Sequence, residues 1–272
     1  MSGKLIVCAG GSGSPGITTV AAQMSYAFSA NTGLDAALVD IDLDGSPLAP
    51  MTEVNDTGAM SKLYELAAVG PLGDEVISMA MQSASDHLKV VTGFRGTEMG
   101  PGCRVAQVMR AINGVNSRVD VTILDMGRPR FWNAFDILKD VDVICWVVTP
   151  TPEGAYAWRR VWSTFDGRGL PKSRMVAVLN QFDHPRALAN FPEHWMENPG
   201  IPLVAKIPYL PKLDPIDLTR PARGKLGKKS ASWLTAYESF VSRVAGSLPL
   251  YDYKDGGGAL RGLLGRNRNG GA

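Results

Sequence analysis

The chain has 272 residues, of which 45% are hydrophobic and 20% are charged, and its net charge is +2. Such a small net charge gives no bulk electrostatic argument for a nucleic-acid partner. No apolar run reaches the roughly 18 residues that a membrane-spanning helix needs, so we expect any membrane contact to be peripheral. We find no signal peptide ahead of the first strand, and the three cysteines are widely spaced. We therefore expect a cytoplasmic protein with reduced thiols.

Short apolar runs rich in β-branched residues alternate with helix-length segments along the chain. We predict strands at Leu5–Ala9, Ala36–Ile41, Leu88–Thr92, Val119–Leu124, Val141–Val148, Met175–Leu179 and Leu203–Ile207. We predict helices at Thr18–Ala30, Arg104–Asn113, Gly154–Thr164 and Ser232–Ala245. Nearly continuous apolar strands are typical of a parallel sheet that is covered on both faces. The pattern predicts an α/β fold with a doubly wound, mostly parallel sheet of about seven strands between helix layers. A ligand would bind at the carboxyl ends of these strands.

The chain divides into one domain and a tail. Residues 1–247 carry the whole alternation of strands and helices, without an internal repeat. Residues 248–272 are rich in Gly and Arg, which is typical of a segment outside a packed fold. Within this tail, Leu260, Leu263 and Leu264 would share one face of a short helix. The tail is therefore either a short amphipathic segment that contacts a membrane or a disordered extension.

A glycine-rich turn, Gly10–Thr19, follows the first strand at once and leads into a helix-like run. This order of strand, turn and helix lets successive backbone N–H groups point at an anion near the positive end of the helix. Gly11 and Gly16 have the G-x-x-x-x-G spacing of a P-loop, and Thr18 supplies a hydroxyl that can bind magnesium. Ile17 occupies the position where such loops carry a lysine.

Carboxylates follow two of the predicted buried strands. Asp40 and Asp42 lie one residue apart at the end of the second strand, and Asp125 ends the apolar run Val121–Leu124. An Asp at a strand end is also common as a turn or cap residue. The order of these residues after the phosphate loop favours a functional role, because a buried carboxylate needs a cation or hydrogen-bond donors. Asp125 has the pattern of a Walker B residue that helps to hold magnesium.

Together these motifs resemble the MinD/ParA family of P-loop ATPases, and the resemblance runs from about residue 4 to about residue 246. The family's deviant Walker A motif, K-G-G-x-G-K-[ST]-T, matches Ser12–Thr19. Its Asp-x-Asp pair matches Asp40 and Asp42, and its Walker B residue matches Asp125. Three further strand ends resemble the family's pattern: Val141–Pro150, Val178–Asn180 and Ile207–Tyr209.

The resemblance implies a site for ATP and Mg²⁺. It assigns the phosphate cradle, mainly through backbone amides, to Gly13, Ser14, Gly16, Ile17, Thr18 and Thr19. It assigns contacts with adenine to Asn180 and Pro208. It also implies that two copies of the chain form a homodimer around the nucleotide.

The resemblance further implies how the metal and the attacking water would be held. Thr18 and Asp125 would hold the magnesium ion, with Asp125 acting through a water molecule. Asp42 would orient the attacking water if hydrolysis occurs, and Asp40 would support the metal shell.

The chain departs from the family at both lysines of the Walker A motif. Ser12 stands at the signature position and Ile17 at the phosphate-clamping position. Because P-loop catalysis is mainly positioning and charge stabilisation, the loss of both cations removes most of that stabilisation. Three states follow: binding without hydrolysis, slow hydrolysis with a cation from Arg128 or Arg130, or an empty relic. A similar lysine-less loop is found in some MinD-like proteins, including relatives of the pilus-assembly TadZ/CpaE group.

We expect a nucleotide-dependent dimerisation switch that positions or assembles a partner machine at a membrane or cell pole. The machine would be of the pilus, secretion or division-site type. One alternative is a non-enzymatic scaffold that dimerises constitutively. Another is a ParA-like DNA-partitioning ATPase, in which basic residues would hold DNA phosphates. The candidates for that contact form a cluster before the last predicted helix: Arg220, Arg223, Lys225, Lys228 and Lys229. A solvated loop is the simpler interpretation of this cluster.

Overall fold

The computed structural model describes residues 3–11, 15–43, 45, 47–95, 102–129, 132–185, 187, 201–209, 236, 239 and 243–244. The strands are β1 (Lys4–Gly10), β2 (Ala36–Asp40), β3 (Gln82–Ser85), β4 (Leu88–Val91), β5 (Val121–Asp125), β6 (Val143–Val148), β7 (Met175–Asn180) and β8 (Leu203–Ile207). The α-helices are α1 (Ile17–Thr32), α2 (Leu48–Thr52), α3 (Ala59–Val69), α4 (Asp74–Ala80), α5 (Val105–Asn116) and α6 (Pro152–Arg168). Short 3₁₀ helices lie at Trp132–Lys139 and Lys172–Arg174.

The strands form one eight-stranded sheet in the order β3-β4-β2-β5-β1-β6-β7-β8. Every neighbouring pair is parallel except β3 and β4, which form an antiparallel hairpin. Because parallel strands share one carboxyl edge, the segments that follow β1, β2, β5, β6, β7 and β8 meet there. The predicted α/β fold with a mostly parallel sheet is confirmed.

All seven predicted strands form, and each end lies within two residues of its predicted position. The eighth strand, β3, was not predicted because its sequence, Gln-Ser-Ala-Ser, is polar and lies at the edge of the sheet. Helices α2, α3 and α4 were also not predicted. They are short, and α3 buries only one face, which contains Met60, Leu63 and Ala67.

The core consists of two apolar layers, one on each face of the sheet. Helices α1 and α2 cover one face, where Met24 and Phe28 are fully buried. Helices α3 to α6 cover the other, where the Trp146 and Phe165 rings meet edge to face at 5.9 Å. Helix α6 begins with a Thr151 side chain that accepts a hydrogen bond from the Gly154 N–H, which caps its first turn.

The last predicted helix, Ser232–Ala245, lies mainly outside the part of the chain that the structure describes. Ala236, Ser239, Arg243 and Val244 are helical. Val244 is buried in the α1-side layer, and Arg243 Nη1 donates to the Val204 carbonyl at 3.1 Å. Arg243 therefore contacts β8. The predicted domain boundary at residue 247, the tail with its three leucines, and the basic cluster at 220–229 lie outside the described residues. No described helix combines the length and the apolarity that crossing a bilayer demands.

Candidate nucleotide-binding site

The phosphate loop connects the end of β1 to the first turn of α1. Gly16 precedes the helix with φ 78°, in the left-handed region that favours glycine. A Cβ there would also lie 2.5 Å from Asn180 Nδ2. The N-cap residue Gly16 has no side chain that could cap α1, and no acidic residue lies in the first turn. The first N–H groups of such a helix can bind an anion. Ser12, Gly13 and Ser14 lie outside the described residues.

Ile17 belongs to the core rather than to a phosphate pocket. Its side chain is only 5% exposed and lies in the α1-side layer together with Ile6 and Val147. Ile17 Cδ1 packs so closely on Gly10 that a Cβ on that glycine would lie 2.8 Å away. Thr18 and Thr19, the next residues of the helix, are half-buried. Ile17 can therefore contribute to phosphate binding only through its backbone.

The predicted acidic residues come together at the carboxyl ends of two adjacent strands. Asp40 at the end of β2 lies opposite Asp125 at the end of β5, and both are almost fully buried. Asp40 Oδ1 accepts a hydrogen bond from the Asp42 N–H at 3.0 Å. Asp125 Oδ1 accepts one from the Gly127 N–H at 3.3 Å. These local bonds fix both carboxylates in place.

Glycines make room for these carboxylates, and the sequence interpretation did not identify them. A Cβ on Gly93 would lie 2.5 Å from Asp40 Oδ2. Gly127 has φ 57°, and a Cβ there would clash with the Asp42 carboxylate. The Gly10 N–H donates to the Gly127 carbonyl at 3.2 Å, which ties the end of β5 to the start of the phosphate loop. The only sequence signal for Gly93 and Gly127 was their position two residues after the ends of β4 and β5, respectively.

Two thiols lie beside the acidic residues. Cys8 on β1 is opposite both Asp125 on β5 and Cys145 on β6, and both cysteines are fully buried. Burial raises the pKa of the Cys8 thiol well above its usual range, and the Cys145 thiol and the Asp125 carboxylate raise it further. Cys8 is therefore a protonated thiol at neutral pH, and it is a poor nucleophile. Cys8, Cys103 and Cys145 form no disulfide with one another, and all three are buried.

The ends of β7 and β8 form a wall next to the loop. The Asn180 side chain is buried, and its Nδ2 donates to the Pro15 carbonyl at 2.7 Å. Pro208, which is half-buried, follows Ile207, the β8 partner of Asn180. The Tyr209 N–H donates to Asp183 Oδ1 at 2.5 Å and so joins the two loops. The predicted base-contacting residues are therefore neighbours.

The geometry fits a magnesium ion that is shared with a nucleotide rather than held by the protein alone. Within the described ranges, no three His, Cys, Asp or Glu side chains converge on one point. Magnesium prefers oxygen ligands and is usually bound through one or two protein groups, substrate phosphates and water. The Thr18 hydroxyl and the Asp125 carboxylate are oxygen groups of the type that magnesium prefers.

Comparison with solved structures gives a consistent result, although no family model and no curated protein matches the chain. A ParA family ATPase from Chlorobium tepidum superposes with a TM-score of 0.67 at 19% identity, covering 91% of this chain and 95% of the other. MinD from Pyrococcus horikoshii, solved with Mg-ADP, gives 0.66 at 18% identity, over 89% and 95%. This chain has the MinD/ParA fold.

The same fold appears in a protein complex. MinD in the MinC:MinD complex of Aquifex aeolicus superposes with a TM-score of 0.65 at 17% identity, over 92% of this chain and 99% of the other. Because β1, β2 and β5 of this chain are parallel, their carboxyl ends lie at one edge of the sheet. In this chain, that edge contains the loop, Asp40, Asp42 and Asp125.

Proposed function

We propose that this protein is a nucleotide-dependent dimerisation switch of the MinD/ParA type. It binds ATP with Mg²⁺, hydrolyses it slowly or not at all, and positions or assembles a partner machine at a membrane or pole. One observation carries the proposal: the uncapped first turn of α1 and the strand-end residues Asp40 and Asp125 meet at the same edge of the sheet. An anionic ligand and a divalent cation together match these groups.

The similar MinD from Pyrococcus horikoshii was solved with Mg-ADP, which supports magnesium and a nucleotide as the ligands here. In this proposal Gly13, Ser14, Gly16, Ile17, Thr18 and Thr19 bind the phosphates mainly through backbone N–H groups. Thr18 and Asp125 hold the ion. Asn180 and Pro208 border the adenine. When bound, magnesium would neutralise part of the phosphate charge and polarise the phosphoryl group as a Lewis acid.

Hydrolysis is the part of the cycle that the loop supports least. Residues 9–19 contain no lysine or arginine, and the side chain at the clamping position, Ile17, is buried in the core. Transition-state stabilisation in P-loop enzymes depends on positive charge around the transferring phosphoryl group. Asp42 orients the attacking water in any slow reaction, and Asp40 supports the metal shell. We expect the ATP-bound state to be long-lived, because it would end by dissociation of the nucleotide rather than by hydrolysis.

A protein partner is part of the proposal. MinD of Aquifex aeolicus was solved in a complex with MinC, which supports a protein partner here. Contact with a membrane through Leu260, Leu263 and Leu264 is a prediction from the sequence. On this basis we propose that the protein is cytoplasmic or lies peripherally at the inner face of a membrane.

The switch is tested by measuring the mass of the purified protein by light scattering during size-exclusion chromatography. Runs are compared without nucleotide, with ADP and Mg²⁺, and with ATP and Mg²⁺. We expect the mass of a dimer with ATP and Mg²⁺, and the mass of a monomer without nucleotide and with ADP and Mg²⁺. Phosphate release from the same samples should be slow or absent. Asp125→Ala should abolish the doubling, and Asp142→Ala, at the opposite edge of the sheet, should not.

A dimer in every condition would instead support a constitutive scaffold. A monomer in every condition would contradict both readings. Binding of non-specific DNA that depends on Lys228 and Lys229 would favour a partitioning ATPase, and a filter-binding titration at two salt concentrations measures it.

A further inference from the structure

The described part of the candidate site has an excess of negative charge. Asp40, Asp42 and Asp125 lie at the edge where a triphosphate would bind, and residues 9–19 offer no basic side chain. One magnesium ion offsets only part of the combined charge of the carboxylates and the phosphates. Like charges at these separations repel strongly in a partly buried site. A nucleotide would therefore need a further cation to bind tightly.

A candidate for this cation is Arg128, which follows β5 at the carboxyl edge of the sheet. It is the first residue after Gly127, whose carbonyl accepts the Gly10 N–H at 3.2 Å and whose backbone turns at φ 57°. Gly127 also borders the Asp42 carboxylate. Arg128 is therefore the next residue in the chain after a segment that lies between the acidic residues and the phosphate loop. Its side chain is half-buried, whereas most surface arginines are largely exposed.

Another arginine at the same edge makes a useful contrast. Arg95 follows β4, which lies three strands away from β1 in the sheet order. Its backbone N–H donates to Ser61 Oγ at 2.8 Å, and its guanidinium donates to the Asp56 carbonyl. Arg95 is exposed and clasps the segment before α3, so it has a structural task remote from the loop.

We propose that Arg128 binds the β- and γ-phosphates of the nucleotide and supplies the positive charge that the phosphate loop lacks. The proposal rests on the proposed function, because it concerns the same site. A guanidinium keeps its charge at any physiological pH, and its fork of N–H donors matches two phosphate oxygens. In this arrangement the cation comes from the end of β5 rather than from the loop. Ile17 is then free to complete the core under Gly10.

The test is a set of dissociation constants for ATP, ADP and AMP, measured by calorimetry with Mg²⁺ for the wild type and three variants. Arg128→Gln removes the charge and keeps a shorter, polar side chain. We expect it to weaken ATP binding about tenfold or more and to leave AMP binding unchanged. Arg128→Lys should recover part of the loss. The matched control Arg95→Gln should leave all three constants at their wild-type values.

The outcomes separate this inference from the function on which it rests. If the wild type binds ATP and Arg128→Gln binds it equally well, the role of Arg128 is wrong and the switch remains. Equal losses for ATP and AMP would show a structural effect and would also overturn the role. Thermal unfolding of each variant checks that it is folded. If the wild type binds no nucleotide, the proposed function fails and the inference fails with it.

Discussion

The candidate site has an acidic half and a phosphate-loop half, and the two halves differ in the chemical groups that they contain. In the acidic half, Asp40 and Asp125 are buried, fixed by backbone N–H groups and packed beside glycines. In the loop half, the backbone turn and the uncapped helix are present, but the clamping position has an isoleucine that packs in the core. The acidic half thus contributes charged side chains, whereas residues 9–19 contribute no basic side chain.

The difference also shows how firmly each half is built into the fold. The acidic half depends on contacts across β2, β4 and β5, since a Cβ on Gly93 or Gly127 would meet a carboxylate. The loop half depends on Asn180, which reaches from β7 to the Pro15 carbonyl, and on the packing of Ile17. Substitutions that affect one half and spare the other can therefore test the comparison.

The largest expected effect is on stability, at the loop half. Ile17→Ala should lower the free energy of unfolding by about 2–5 kcal/mol, because it leaves a cavity in the α1-side layer. Ile17→Val should cost about 0.5–1.5 kcal/mol. Nucleotide affinity of the folded molecules should hardly change, because the side chain does not contact phosphate. Chemical denaturation and calorimetry measure the two quantities. Wild-type stability combined with lost nucleotide binding would contradict a core role for Ile17.

A second substitution breaks the acidic half. Gly127→Ala and Gly33→Ala both place alanine at a positive φ, 57° and 68°, which costs about 1–2 kcal/mol. A Cβ at Gly33 meets nothing within 4 Å, whereas one at Gly127 clashes with Asp42. We expect Gly127→Ala to cost about 1–3 kcal/mol more than Gly33→Ala. It should also weaken the binding of ATP with Mg²⁺. Equal stability of the two variants would show that Asp42 moves aside freely.

The smallest effect concerns the hydrogen bond that holds the loop. Asn180→Ala removes the 2.7 Å bond to the Pro15 carbonyl, and Asn116→Ala removes a 2.7 Å bond to the Gly3 carbonyl at the opposite edge of the sheet. Each should cost about 1–2 kcal/mol, because a buried acceptor is left without its donor. Only Asn180→Ala should weaken nucleotide binding. An equal effect of both variants on binding would remove Asn180 from the site.

Much of this fold could be predicted from the sequence, because each buried parallel strand is a nearly continuous apolar run. Segment 48–80 was harder. Its helices are short, and α3 buries only one face, so no strong periodicity marks them. Strand β3 is polar, and the hairpin with β4 keeps it in the sheet, which local sequence does not reveal.

The positions of the candidate site residues were predictable where the residue type carries the chemistry. Asp40, Asp42, Asp125 and Thr18 follow from strand ends and loop spacing. The contacts of Gly93 and Gly127 were not, because they depend on which strands are neighbours. The bond from Asn180 to Pro15 joins residues 165 apart in sequence, and no local pattern encodes it.

The central claim is that the acidic half still binds a magnesium nucleotide although the loop has lost its lysines. Calorimetric titration of the wild type with ATP, once in Mg²⁺ and once in excess chelator, tests it most directly. The same titration with Asp125→Ala and with the control Asp142→Ala assigns the effect. Asp142 pairs with Lys4 at the opposite edge of the sheet.

We predict saturable ATP binding in Mg²⁺. Chelator or Asp125→Ala should weaken this binding about 10–100-fold, and the control Asp142→Ala should leave it unchanged. Absence of saturable binding at millimolar ATP, or equal affinity with and without magnesium, would contradict it.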